Sequence, residues 1–369
     1  MLNPGRKVRP GLFWEKDNMK SNEQFSGVTR EVRTLWNLVL DTRMARALEA
    51  GVSRYPIYRV LHFAARIELD VLLDAIALDP VWRAERVAYE EVLLDGDGLL
   101  IVGYGSRKLD YCSCSFYIWA ADVARAEAAK QRLLEKAGST RITEPMFRIE
   151  WTFVTSDGLQ SAWMEEMADD VLRDRAYPEI AGGVRGFIDR YLASPEAVLV
   201  LQGPPGTGKS RLIRGILGEM SRRKDESAVA LYTGDMRALA SDQIYVRFIT
   251  GRQDAFVIED ADHLLKPRAD GNEDLHRFLA IADGVVRSQG RKVIFSTNLP
   301  NVGDLDDALI RPGRCFARVH VRNLSDDEAR ALAAEIAAGD AEKMARARVA
   351  LAEDRGGKRS LAEVYAALR

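Results

Sequence analysis

The chain has 369 residues, with 53 basic and 55 acidic side chains and a formal net charge of −2. That length predicts two or three domains, and the charge balance excludes a wholesale basic attraction to nucleic acid. Three cysteines make no disulfide framework, the four histidines form no ligand-spaced zinc cluster, and no apolar run approaches the roughly 20 residues of a membrane span.

In chain order, residues 1–22 hold Arg6, Lys7 and Arg9 among prolines and glycines and read as a basic, flexible tail. Residues 23–80 carry helical periodicity, as in Val32, Leu35, Trp36, Val39 and Leu40. Residues 87–94 read as a strand, Asp95-Gly96-Asp97-Gly98 as a turn and residues 99–104 as its hairpin partner. A third strand at 111–119, a helix at 120–137 and a fourth strand at 147–155 complete a helical, then α+β, domain over residues 23–165. Its aromatics Tyr117, Trp119, Phe147, Trp151 and Phe153 alternate along strands, a pattern met more often in cores than on recognition surfaces.

Chemistry enters after residue 196. Ala197-Val198-Leu199-Val200-Leu201 is a short apolar run of the kind a buried parallel strand requires. It leads into Gly203-Pro204-Pro205-Gly206-Thr207-Gly208-Lys209-Ser210, which fits G-x-x-x-x-G-K-[ST], and Arg211 opens an apolar-periodic helix behind it. Strand, glycine loop and helix form the context in which backbone N–H groups cradle phosphates and a helix N-terminus adds positive potential. Lys209 then reaches the β- and γ-phosphates and the Ser210 hydroxyl ligates Mg²⁺. The expected ligand set is Gly203 to Arg211, and the expected cofactors are a nucleoside triphosphate and Mg²⁺.

Further strands are expected at residues 228–233, 255–258 and 292–295. The second of these runs into Glu259-Asp260-Ala261-Asp262. Carboxylates at the C-terminal end of a buried strand lie at the ligand crevice of an open α/β sheet, where they hold Mg²⁺ and orient the attacking water. The metal set is therefore Ser210, Glu259 and Asp260. Asp262 is read with at least equal weight as a helix cap. The third strand ends in Ser296-Thr297-Asn298, and Ala308-Leu309-Ile310-Arg311-Pro312-Gly313-Arg314 precedes a β-like Val319-His320-Val321.

This ordered series resembles the AAA family of ATPases over residues 177–369, with a particular likeness to its Bcs1-like group. The resemblance implies ATP as the triphosphate, a P-loop α/β core over residues 166–321 and a small helical lid over 322–369, so the fold class is α/β behind an α+β domain. It gives Glu259 the Mg²⁺-shell role, Asp260 the water-activating role in an acidic order inverted from the commoner Asp-Glu, and Asn298 the sensor role. Arg311, Arg314 and Arg318 are its arginine-finger candidates, with the choice between Arg314 and Arg318 open because Cys315-Phe316-Ala317 alters the spacing. Ile180 and Ala181 fall where the family packs adenine. Arg359 reads as a solvated lid charge rather than a nucleotide sensor, and Ser360 with Glu363 as a capping box.

The same resemblance implies a homo-oligomer, most often a hexameric ring, that remodels or translocates a macromolecular cargo, protein rather than nucleic acid. No membrane anchor is expected, and free thiols suit the cytoplasm. A loader on nucleic acid, favoured only by the run Arg222-Arg223-Lys224, and a slow nucleotide switch are the alternatives. Tyr245 is the aromatic nearest the 237–244 loop, where threading members of the family carry one.

Overall fold

The computed structural model describes Ala45 and residues 54–368, apart from 89, 109, 169–170, 225, 268–274, 279–289, 302–304 and 353–356. The expected basic tail and almost all of the helical periodicity before residue 54 lie outside the described residues. The chain divides into two compact units, 1–143 and 144–369.

The first unit runs β1 (Ile57–Ala65), α1 (Leu69–Ala77), β2 (Arg83–Ala88), β3 (Glu91–Gly96), β4 (Leu99–Arg107), β5 (Cys112–Ala120) and α2 (Val123–Ala137). Its sheet has the order β1-β5-β4-β3-β2 and is antiparallel throughout. Leu69, Leu72 and Ile76 of α1 and Ala126, Ala129 and Leu133 of α2 share one core with Ile101, Phe116 and Ile118 of the sheet. Leu100, Val102 and Trp119 belong instead to a second cluster with Tyr55, against which Tyr117 packs half-buried. The period-2 alternation of strands sorts the two sets.

Two details differ from the sequence reading. The helical stretch to residue 80 contains β1, whose β-branched and aromatic residues pair with β5. The single strand expected over 87–94 is two strands, β2 and β3, paired antiparallel. The β3–β4 hairpin turns where expected, and Gly98 sits at φ +64°, a left-handed conformation that suits glycine. Asp79, just past α1, accepts from Lys136 at 2.8 Å and Arg132 at 3.1 Å, tying α1 to α2.

The second unit continues with β6 (Met146–Thr155), β7 (Gly158–Met167), α3 (Val184–Ala193), β8 (Val198–Gln202), α4 (Lys209–Lys224), β9 (Ala228–Thr233), α5 (Met236–Leu239), α6 (Asp242–Thr250), β10 (Ala255–Ile258), α7 (Asp262–Leu265), β11 (Lys292–Thr297) and β12 (Cys315–His320). Seven strands take the order β12-β8-β11-β10-β9-β6-β7; all neighbours are parallel except the β6–β7 hairpin. Leu199 and Leu201 of β8 pack into one cluster with α3 and α4, while Val198 and Val200 pack into another with α6. A strand covered on both faces has no polar side to show, which is why 197–201 reads as unbroken apolar sequence.

The strand at 147–155, expected to complete the first domain, instead extends this second sheet: β6 pairs parallel with β9 from Phe147↔Ala228 to Trp151↔Tyr232. Polar groups fix the attachment. The Thr233 hydroxyl donates to the Thr152 carbonyl at 2.8 Å, and the Val154 N–H donates to the Asp235 carboxylate at 3.0 Å. Buried Glu150 accepts from Arg247 at 2.8 Å and Gln253 at 2.7 Å. Behind β7 the chain crosses α4 at its two interior glycines: a Cβ on Gly218 would lie 2.5 Å from the Ala168 Cβ, and one on Gly215 would collide with Leu172.

The C-terminal part holds α8 (Asp326–Ala337), α9 (Ala341–Ala350), α10 (Leu361–Ala366) and a two-residue ladder of β13 (Leu324–Ser325) with β14 (Lys358–Arg359). Ser325 with Glu328 and Ser360 with Glu363 form capping boxes that start α8 and α10. Arg359 is not a solvated charge. It is 2% exposed and donates to Asp326 at 3.0 Å, joining β14 to the start of α8.

Candidate nucleotide-binding site

The loop from Gly203 to Ser210 joins β8, the second strand of the sheet, to α4, whose first residue is Lys209. Its backbone leaves no room for side chains at key points. A Cβ on Gly203 would collide with the Val321 carbonyl, and one on Gly208, at φ +96°, would lie 2.5 Å from Leu361. The loop is strapped from outside as well as within. Thr207 donates to the Pro204 carbonyl at 2.9 Å, Tyr177 to the Gly208 carbonyl at 3.0 Å, and the Ala362 N–H at the start of α10 to the Gly206 carbonyl at 2.9 Å.

Lys209 is 8% exposed and spends three donors locally: on the Gly203 carbonyl at 2.7 Å, the Pro204 carbonyl at 3.0 Å and Asn298 Oδ1 at 2.9 Å. Burial pushes its ammonium pKa down, against the opposing pull of Asp260, Asp262 and Glu259. Asn298 in turn donates from Nδ2 to Asp260 Oδ1 at 2.9 Å. One amide thus bridges the loop lysine and a carboxylate from the neighbouring strand end. Asp260 has φ +50°, and among the described residues it is the non-glycine residue in that left-handed region. Aspartate tolerates the conformation better than most side chains.

The two adjacent acids face different partners. Glu259 accepts from the Ser210 hydroxyl on one oxygen and from the Tyr232 hydroxyl on the other, the latter at 2.9 Å. Burial, then the charge of Glu259, pushes the Tyr232 phenol well above its ordinary pKa, so it remains a donor at neutral pH. Asp262 is not a helix cap: Ala261 occupies that position of α7. Its Oδ1 accepts from the Thr297 hydroxyl at 2.6 Å and from the Asn298 N–H at 2.8 Å, which fixes the end of β11 beside the end of β10. Neither the Asp262 staple nor the Tyr232 contact carries a motif. The tyrosine reads in sequence only as one residue of a buried strand.

Of the remaining expected residues, Ile180 is buried in the cluster that also contains Tyr177, Val184 and Leu361, whereas Ala181 is exposed. Arg211 lies with its guanidinium 4.0 Å from the ring centroid of Tyr365 on α10. Arg311 is exposed, Arg314 donates to the Ala308 carbonyl, and Arg318 is half-buried in β12. Pro204 and Pro205 are both exposed. The basic run at the end of α4 is consumed in ion pairs, Arg222 with Glu219, Arg223 with Asp189 and Glu219, and Lys224 with Asp254 and Glu226. Tyr245 is core: it is 5% exposed and donates to the Leu239 carbonyl at 2.8 Å.

The donor set suits Mg²⁺. A hydroxyl and two carboxylates are hard oxygen ligands, and no group of three or more His, Cys, Asp or Glu among the described residues forms an all-protein cage. Mg²⁺ characteristically takes one or two carboxylates and completes its shell with water and substrate phosphates. The glycine cradle, with backbone approaches a Cβ would block, suits a polyphosphate.

Residues 199–323 match the family model for ATPases associated with various cellular activities (AAA). An AAA-ATPase of Arabidopsis thaliana is 29% identical over 196 residues, spanning 48% of this chain and 41% of the relative. The mitochondrial chaperone BCS1 of Danio rerio is 28% identical over 180 residues, 45% of this chain and 40% of the relative. Spastin of Drosophila persimilis is 28% identical over 225 residues, 57% and 26%. The chain thus spans about two fifths or less of the length of these relatives. Among the described residues, no helix is long and apolar enough to cross a membrane.

Proposed function

We propose that this chain, which carries an AAA ATPase domain, binds and hydrolyses Mg·ATP in the cytoplasm. Hydrolysis drives a homo-oligomeric ring, hexameric by family likeness, that remodels a protein cargo. The observation that carries the reading is the continuous bond path from Lys209 through Asn298 to Asp260, with Glu259 held separately on Ser210. It joins the phosphate-binding loop, the sensor strand and the acidic strand end in one cluster.

The partition of bonds supports a division of labour. Glu259, which accepts from the Ser210 hydroxyl, would hold Mg²⁺ together with it. Mg²⁺ bound there would neutralise charge on the β- and γ-phosphates. Asp260, held by Asn298 and not by Ser210, orients and deprotonates the attacking water. Asn298 keeps that carboxylate at a fixed distance from Lys209, which exchanges its loop carbonyls for phosphate oxygens. The loop glycines present their N–H groups to the phosphates, and Ile180 and Ala181 flank the base. An arginine from a neighbouring copy completes the site, and Arg311 is the candidate of choice because it is exposed while Arg314 is engaged with Ala308 and Arg318 lies in a strand.

A protein cargo is favoured over nucleic acid because Arg222, Arg223 and Lys224 are already paired with acids. With Tyr245 in the core, no aromatic of the 237–245 stretch is available to grip an extended chain. That fits movement of folded cargo better than threading.

The test is a pair of variants in the full chain. Asp260→Asn retains ATP and stops phosphate release, accumulating an ATP-bound oligomer by size-exclusion light scattering. Lys209→Ala loses nucleotide binding. Wild-type protein that remains monomeric with Mg·ATP yet turns over at full rate overturns the ring; turnover by Asp260→Asn with Glu259→Gln trapped reverses the two acids.

A further inference from the structure

Glu259 is held at both ends, and only one of its partners belongs to the phosphate-binding loop. Ser210 donates to Oε1 and Tyr232 donates to Oε2 at 2.9 Å. A carboxylate with one anchored oxygen still rotates about its Cγ–Cδ bond. Anchored at the second, it presents the first in a fixed direction, here toward the Ser210 hydroxyl. Tyr232 itself is fixed from the other side. It is the register partner of Trp151 on β6, and the two rings meet edge to face, with centroids 5.9 Å apart and planes at 86°. The next residue of β9, Thr233, is bonded to the Thr152 carbonyl, so the strand cannot slide relative to β6.

We propose that Tyr232 is the positioning residue for the Mg²⁺ ligand Glu259, and that the β6–β7 hairpin supports the metal site by holding the Tyr232 ring through Trp151. The proposal rests on the reading of Glu259 as a Mg²⁺ ligand. A phenol O–H on the non-coordinating oxygen of a metal-binding carboxylate orients the ligand and tunes its basicity, and loss of such a partner characteristically costs about 10-fold or more in metal affinity. The phenol touches neither phosphate nor water in this role. Its effect appears in Mg²⁺ dependence and not in the binding of nucleotide as such.

The experiment uses the full chain, a fluorescent ATP analogue and Mg²⁺ alone as titrant. Affinity for the analogue is measured first in EDTA, then as a function of free Mg²⁺, for wild type, Tyr232→Phe and Glu259→Gln, with thermal unfolding of each nucleotide-free protein as the packing control. Tyr232→Phe keeps the EDTA affinity and the unfolding midpoint of wild type and needs about 10-fold more Mg²⁺ for half-maximal tightening. Glu259→Gln shifts the same midpoint at least as far. A Tyr232→Phe protein with the wild-type Mg²⁺ midpoint overturns the proposal while leaving Glu259 as ligand. Equal losses in EDTA and in Mg²⁺ also overturn it, by showing that the ring matters for packing alone. If wild type tightens with Mg²⁺ and Glu259→Gln tightens identically, the reading of Glu259 fails first.

Discussion

Replacing Asp262 by alanine removes one oxygen that serves two donors, and the consequences for stability and turnover separate. Oδ1 accepts from Thr297 at 2.6 Å and from the Asn298 N–H at 2.8 Å. Hydrogen bonds to a charged group contribute about 1.5–3 kcal/mol each. The loss is smaller than their sum, because Asp262 and Asn298 are both only half-buried. Thr297 is fully buried but keeps one bond, accepting from the Leu299 N–H at 3.1 Å. The net cost is about 2–3 kcal/mol. The effect on turnover arises one residue further on, since Asn298 is the group that bridges Lys209 and Asp260. If Asp260 is the base and Lys209 the phosphate contact, as proposed, a displaced bridge misaligns the two together, and kcat falls roughly 10- to 100-fold. Affinity for nucleotide changes little, because the loop amides are untouched. Asp262→Asn, which keeps a neutral acceptor at Oδ1, recovers most of both losses. Steady-state phosphate release, nucleotide titration and thermal unfolding on the three proteins check this. If Asp262→Ala unfolds earlier but turns over at the wild-type rate, Asp262 staples two strands and does not place Asn298, and the reasoning fails.

Three further outcomes follow from packing and charge. Gly218→Ala, in the interior of α4, gains about 1 kcal/mol of helix propensity but sets a Cβ 2.5 Å from that of Ala168. Overpacking prevails, for a net loss of about 1–2 kcal/mol in denaturant unfolding, and a stabilised variant would show that the backbone at Ala168 yields freely. The carboxyl of Glu328 is held at about 2 by the Arg322 guanidinium first and the Ser325 N–H second. Its contribution is therefore present above its ordinary value of 4.5 and disappears as pH falls from there toward 2. Arg322 and Glu328 are 41% and 32% exposed, so solvent screening limits the amount to about 1–2 kcal/mol; the gap in unfolding free energy between wild type and Glu328→Gln should close over that window. In the first unit, the Asp79 carboxylate is 1% exposed against Lys136 and Arg132. Asp79→Asn should cost about 2–3 kcal/mol, seen as an earlier transition by circular dichroism, less than for a fully buried pair because both cations reach solvent.

The sequence determined the local parts of this protein. The glycine loop, the strand before it and the helix after it are contiguous, so spacing alone places the loop between β8 and α4. Glu259, Asp260 and Asn298 were legible because each ends an apolar strand, and parallel strands place their C-terminal ends at one edge. The capping boxes at Ser325 and Ser360 complete themselves within four residues. What required the tertiary structure is whatever depends on which strand lies beside which. The strand at 147–155 is legible by its alternation, but only the pairing of Phe147 with Ala228 assigns it to the second sheet. Arg359 reads as solvated because a sequence does not show Asp326 closing over it, and Asp262 stays open between site and cap because Thr297 is distant along the chain. Tyr232 has no motif at all, since its contact is an oxygen at bonding distance from the carboxylate that ends the next strand. Hydrophobic period and turn chemistry are properties of neighbours in sequence. The direction in which a polar group spends its hydrogen bonds is a property of neighbours in space, and at this site those bonds separate one acid from the other.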